Sequence, residues 1–426
     1  MSNSYKCTPV FSLGLSAILF FQLIGDVHSQ SVLQITEFQA ANSGSLKDED
    51  GDTPDWIEIF NTGNEALNLQ GWHLTDDASQ KNKWRFPDLT IHAKAFVLVF
   101  ASGKDRKNQT GFLHTNFKLR ARGEYLGLIQ PDGATVEYDY FPEYPDQKPD
   151  FSYGLFWNPP GQFQDYTTQY FNTPTPGGVN QSGFGGLASL PEFSHERGFY
   201  SIPFDLRIQT RSPDAEIYYT LDGSEPTPKT GTPYLSEISI DKTTTLQAAV
   251  FQDGFIASQV VAHTFLFLED VIKQSPDGLP PEGFPLIWGN NFTDYGMDPE
   301  IVRSSEYRET IIQDLQTIPS FSLVMDQKDL FSSSTGIYSN PKEQGKEWER
   351  SCSLELINPN GKQGFQINCG IRIRGGISRS LENSKHAFRF FFRSEYGAPK
   401  LNYPLFGKLS DVAESFDQID LRTFQN

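Results

Sequence analysis

Short runs of alternating apolar and polar residues, cut by glycine, proline and Asx-Gly turns, recur along most of the chain. In the first third, the short, largely apolar runs "VLQITEF", "DWIEIFN", "WHLTD", "AFVLVFA" and "EYLGLIQ" read as strands. Turns fall at Thr62-Gly63-Asn64 and Pro131-Asp132-Gly133. Repeated short strands at that spacing predict a β-sandwich over residues 31–182, closing in "NTPTPGGVNQSGFGG", which reads as a linker. A second unit at 190–268 alternates at Ile217, Tyr219 and Leu221, runs into an Asp222-Gly223 turn and returns through "TTTLQAAVF", predicting a smaller sandwich. The pattern changes over 269–317. "SPDGLPPEGFP" is followed by "MDPEIVRSSEYRETIIQDLQT", where Asp298 is a candidate N-cap with Pro299 at the first helical position. Ile301, Ile311, Ile312 and Leu315 predict a buried stripe and one connecting helix. Strand patterns resume at 318 in "SFSLVMD", "SLELIN", "FQINCGIRIRG", "HAFRFFFRS" and "FDQIDLRTF". The last run stops on Asn426 without a turn or cap, so a third domain is expected to be given only in part.

The third unit also carries a register. Around the Asn-Pro-Asn-Gly turn, Leu354 and Leu356 must share a face with Phe365 and Ile367. Pairing 354 with 367 and 356 with 365 sets Cys352 opposite Cys369 and predicts a disulfide. A type I turn with a glycine bulge would shift the register by one residue and separate the cysteines, so both pairings stand at this point.

Composition sharpens the β reading, with 35 Phe, 17 Tyr, 35 Gly and 27 Pro in 426 residues. That length exceeds one compact core and points to several domains. A formal net charge of −18 disfavours nucleic acid as a partner of the chain as a whole. At the N-terminus, Lys6, the apolar run Val10 to Ile24 and Val27-His28-Ser29 read as a signal peptide over 1–29, cut after Ser29. The alternative is an uncleaved anchor, for which the run is short against the roughly 20 residues of a bilayer span. No other segment is apolar enough to cross, so the mature chain is expected to be exported, where an oxidising compartment suits Cys352 and Cys369.

Candidate chemistry is sparse. Asp48, Asp50 and Asp52 alternate like calcium ligands, but Gly51 stands fourth rather than sixth and Ile59 occupies the twelfth position, which leaves an acidic loop as the reading. The seven histidines show no metal spacing, and Gly-x-Ser-x-Gly is absent. The basic stretch "CGIRIRGGISRSLENSKHAFRFFFRSEYG", 369–397, is the exception. Its Gly370 and Gly375 have P-loop spacing, but Gly376 and Ile377 replace Lys and Ser/Thr, so a Walker loop is excluded. Phosphate binding nonetheless needs only backbone N–H groups in a turn and fixed cations. If Phe365, Ile367, Cys369, Ile371 and Ile373 face a core, then Gln366, Asn368, Arg372 and Arg374 face the other way, at the mouth of a glycine turn. A phosphate cradle and an exposed charged sheet face both fit these residues.

Three resemblances rest on these words. "QITEFQAAN", "DWIEIFNTGNEALNLQGWHLTDD", "HTNFKLRARGEYLGLIQPDG" and "TPTPGGVN" resemble a lamin tail domain, an immunoglobulin-like sandwich common in secreted bacterial proteins. "YYTLDGSEPT" and "LQAAVF" resemble the fibronectin-III-like module at the C-terminus of chitobiases and hexosaminidases, which is non-catalytic and would allow at most polysaccharide binding. "IPSFSLVMDQKDLFSSSTGIYSNP", "KEWERSCSLELINPNG", "FQINCGIRIRGGISRS" and "KHAFRFFFRSEYGAPKLNYPLFG" are similar to the N-terminal part of the spore-coat protein H (CotH) kinase family. That last resemblance implies a partial α+β, atypical protein-kinase-like domain over 318–426. It also implies ATP and Mg or another divalent metal as cofactors, and Ser or Thr of a secreted or surface protein as acceptor. Carried onto this sequence, it makes Gly375, Gly376, Arg379 and Lys385 the nucleotide-binding candidates. His386 stands where the family has a second lysine, and Glu382, Glu395, Asp411, Glu414, Asp417 and Asp420 form no catalytic pair. The fold class read overall is a mainly β multidomain chain; its function is an exported, sandwich-tethered kinase-like protein or, alternatively, a non-catalytic surface or adhesion protein.

Overall fold

The computed structural model describes residues 31–108, 111–158, 161–163, 165–275, 277–281, 283–288, 291–383, 385–407 and 412–423. The signal-peptide reading of 1–29 lies outside them. Among the described residues, no helix is long and apolar enough to cross a membrane.

The first unit is a two-sheet sandwich. One sheet runs β10-β9-β1-β2-β5-β6, from β1 (Leu33–Gln39), β2 (Asp55–Asn61), β5 (Phe96–Ala101), β6 (Leu113–His114), β9 (Ser152–Trp157) and β10 (Tyr166–Phe171). The other runs β8-β7-β3-β4, from β3 (His73–Thr75), β4 (Trp84–Arg85), β7 (Leu126–Ile129) and β8 (Val136–Tyr140). Ile35, Ile57 and Val99 of the first sheet meet Leu74, Trp84 and Leu128 of the second in one core. Each such buried side chain contributes roughly 1.5–3 kcal/mol of transfer free energy.

The segment after β10 is not a loose linker. Asn180 is buried and donates to Thr36 O and Leu155 O at 3.1 and 2.9 Å, and Thr175 N donates to Glu37 at 3.1 Å. Further on, Phe184 pairs with Tyr170, and Leu187 pairs with Ile256 of the next unit. Ile256 even joins the core of the first unit. The glycines and prolines thus make a bonded splice between the units, because its backbone groups find partners on both sides.

The second unit carries a five-stranded sheet ordered β11-β15-β14-β12-β13, from β11 (Gly198–Tyr200), β12 (Glu216–Thr220), β13 (Thr232–Pro233), β14 (Thr244–Phe251) and β15 (Val261–Phe267). Leu206, Ile208, Ile240, Leu246, Val250 and Phe265 fill its core.

The single connecting helix is a correction. Asp298 does cap a helix, accepting from Glu300 N at 2.8 Å, but that helix spans only Pro299–Val302, and a second spans Ile311–Leu315. Ile301 is exposed and only Ile311 is buried, so the stripe never forms a face that could hold the polar "RSSEYRET" in a helix.

The third unit is an antiparallel sheet, β16-β17-β18-β19-β20, from β16 (Ser320–Val324), β17 (Arg350–Ile357), β18 (Phe365–Arg374), β19 (Ala387–Phe391) and β20 (Gln418–Leu421). The β17–β18 register is Leu354↔Ile367, Leu356↔Phe365 and Cys352↔Cys369, the unshifted pairing. The disulfide, however, is corrected. The two sulfurs are free thiols 3.5 Å apart, against about 2.05 Å for a bond. Both cysteines are buried in the core of the sheet, and burial raises the Cys352 thiol well above its ordinary pKa, which suppresses the thiolate that disulfide exchange requires.

Candidate functional site

β18 sorts its side chains by parity. Phe365, Ile367, Cys369, Ile371 and Ile373 enter the core, whereas Gln366, Asn368, Arg372 and Arg374 stay half-buried on the opposite face. Register extends that face across the sheet, setting Arg372 opposite Arg389 of β19 and Arg389 opposite Asp420 of β20. Above the row lies a cleft of about 480 Å³ lined by Gln344, Gly345, Arg372, Arg374, Gly375, Gly376, Arg379, Arg389 and Phe391.

Its charges are arranged, not merely collected. Asp420 accepts from Arg389 Nε and Nη2 at 2.6 and 3.0 Å and pairs with Arg374 Nε at 2.8 Å. Arg389 first, with Arg374 after it, holds the Asp420 carboxyl below the usual carboxylate range. Arg372 stacks its guanidinium 3.9 Å above the Phe391 ring and lies 3.1 Å from Glu349, a buried carboxylate shared with Arg393 at 3.3 Å. Four arginines line the cleft, and two carboxylates, Asp420 and Glu349, are paired with them, so the site keeps a net positive charge.

The sequence-predicted residues divide. Gly375 and Gly376 form the lip of the cleft. At Gly375, φ is +109° and a Cβ would meet Ser378 Oγ at 1.9 Å, so only glycine fits; at Gly376 a Cβ would meet nothing within 4 Å. Arg379 is present but largely spent. Its Nε donates to Gly375 O at 2.6 Å, its Nη1 to Glu343 O and Pro341 O at 2.8 and 3.2 Å, and its Nη2 to Ile373 O. It clamps the turn to the 341–343 loop instead of offering a fork to a ligand. Burial, and then the Arg372 and Arg389 charges, pull its pKa below the ordinary arginine value, the expected response to crowded cations. Lys385 is exposed and does not line the cleft. His386 is buried; its Nδ1 lies 2.7 Å from Ser378 O, and its ring sits against Trp288 and Tyr338, so it supports the turn from behind.

Arg389 and Phe391 were missed by sequence reasoning, although the alternation in "HAFRFFFRS" places both on one face. What was lacking was the β18–β19 register that decides which face.

Two clusters in the first unit have the look of sites. Lys104 Nζ sits among Asp48, Asp50 and Asp52 at 2.5, 2.7 and 2.8 Å, filling with an ammonium the position a cation would take. Asp48 is buried, so the loop is cross-linked and not simply solvated. Beside it, Ser102 Oγ lies 2.9 Å from His114 Nδ1, and His114 Nε2 lies 3.0 Å from Glu49, an order reminiscent of a nucleophile relay. Ser102 is buried and accepts the Lys104 N–H in its own turn, which leaves the hydroxyl no face for a substrate and makes the relay a brace for the acidic loop.

Residues 26–140 match the Lamin Tail Domain family, and residues 195–262 match the Chitobiase/beta-hexosaminidase C-terminal domain. No curated protein matches the chain. The first match ends at β8, while β9 and β10 complete the same sandwich. The chain is therefore a multidomain β-sandwich protein with a lamin tail domain and a hexosaminidase C-terminal-like domain, and its arginine cleft lies in a third unit beyond both.

Proposed function

We propose that the third unit is the phosphate-gripping part of a CotH-type, ATP-using kinase-like domain in an exported bacterial protein, and that the two sandwiches fix it to a surface or partner protein. The observation that carries this reading is the cationic cleft at the Gly375-Gly376 turn on the polar face of a five-stranded antiparallel sheet. Nucleotide phosphates fit the donor set. The outer nitrogens of Arg372 and Arg374 and the open backbone at Gly376 would hold them, while Asp420 and the Phe391 ring keep the guanidinium planes oriented.

A divalent metal does not fit the same place. Asp420 is engaged by two arginines, Glu349 by Arg372, Arg393 and Tyr396, and the acid clusters of metal-binding size among the described residues lie in the first unit. No phosphoryl-transfer step is assigned to these residues, since transfer needs carboxylates that hold metal and orient the hydroxyl. The same fact favours a second reading, a binding-only scaffold in which the cleft captures phosphorylated or otherwise anionic groups.

Calorimetric titration of the chain with ATP and with pyrophosphate, without metal, tests the cleft. The expected result is binding that weakens at least tenfold in the Arg372→Ala/Arg374→Ala variant and falls with added salt. No binding by a folded chain sinks the reading. Mg-dependent transfer of label from ATP to a secreted acceptor protein separates the kinase from the scaffold.

A further inference from the structure

The polar face that carries the cleft continues along β18 to Asn368 and Gln366, and by register to Glu355 of β17 and Ser322 of β16. This half of the face is covered by the second unit. Arg197 Nε reaches Glu355 Oε1 at 2.8 Å, while Thr264 Oγ1 bonds Glu355 Oε2 and lies 2.7 Å from Ser322 Oγ. Asn368 Nδ2 donates to Val260 O at 2.8 Å. The Glu355 side chain is 0% exposed, so water is excluded from the centre of the contact. The Asp222-Gly223 turn abuts β16 so closely that a Cβ on Gly223 would meet Met325 O at 2.4 Å.

Such a contact differs from the wet, polar rim of a tethered accessory domain. A buried carboxylate is tolerated only where its hydrogen bonds are supplied, and here donors come from both sides of the boundary. His263 contributes from behind. Its ring stacks on Phe193 at 4.2 Å, and its Nε2 faces Arg197 Nη2 at 3.3 Å, which holds the guanidinium toward Glu355.

We propose that this half of the sheet face is a built docking surface whose occupant is the chain's own second unit. The two units then form one cooperative body pinned by Glu355. The inference stands whether or not the cleft takes a nucleotide.

Hydrogen exchange read by mass spectrometry on the full chain tests it, with the amides of 33–171 as internal reference. Glu355→Gln, which keeps the shape and removes the charge, and Thr264→Val, which removes the hydroxyl that bonds Glu355 and Ser322, are compared with the parent chain. The expected result is that exchange accelerates at least tenfold, and together, in 198–267 and in 320–421, while the reference amides hold. Glu355→Gln combined with Arg197→Gln should add less than the sum of the two. Acceleration confined to one unit, additive effects or unchanged exchange in both variants would overturn the proposal.

Discussion

Glu37 and Glu58 face each other directly across β1 and β2, and neither is exposed. Two carboxylates so placed cannot both ionise cheaply. The splice after β10 supplies what they need: Thr175 N and Oγ1 donate to Glu37 at 3.1 Å and Gly177 N to Glu58 at 2.5 Å, while Thr36 Oγ1 donates to Glu58 at 2.6 Å. Burial, with the Glu37 charge as a further cause, pushes Glu58 up to about 8. A carboxyl raised in the folded state contributes stability that is complete below its unfolded value and is lost as pH rises through its folded value. The first unit should therefore melt lower at pH 9 than at pH 5, by roughly 3–8 °C. Asp55, raised to about 7 by burial, acts in the same direction, so Glu58→Gln should remove part of the slope and not all of it. Thermal unfolding followed at both pH values decides this, and an unchanged slope in the variant would show that Glu58 is ionised throughout. The sequence displayed these acids only as polar positions of a strand. A bulge between Ile35 and Glu37 sets their pairing, and nothing local announces it.

Among the elements, β17 and β18 show how far local pattern reaches. Period-two alternation and a short turn leave two registers, and the structure takes the unshifted one at every pair from Leu356↔Phe365 to Arg350↔Ile371. The same register brings Cys352 and Cys369 together as buried free thiols, whose reactivity is then set by access and not by proximity. Iodoacetamide should label neither cysteine in the native chain and both after denaturation without reductant, as read by peptide mass spectrometry. Absence of label after denaturation would restore the disulfide. The connecting segment shows where pattern fails: its cap at Asp298 was legible, its length was not. A cap acts within one turn, whereas helix length depends on a face to bury, and the exposed Ile301 has none.

At the scale of the whole molecule, the three units are joined by bonded chain and buried polar contacts. If the splice is ordered as its hydrogen bonds require, proteinase K should spare 172–189 under conditions that nick exposed loops, and early release of a fragment ending there would mark it as a free linker. The sequence by itself determined which side chains of β18 share the inward face, narrowed the β17–β18 register to two pairings, and carried the likeness of two segments to known sandwich families, because these depend on neighbours two residues apart or across one turn. Only the tertiary structure decided that Arg389 lines the cleft and is held there by Asp420, that Arg379 serves the turn, that Lys385 stands aside, and that Glu355 is covered by the second unit. These outcomes depend on which charges meet across strands and units distant in the chain, and the cost of leaving a charge dry and unpaired is settled only where they meet.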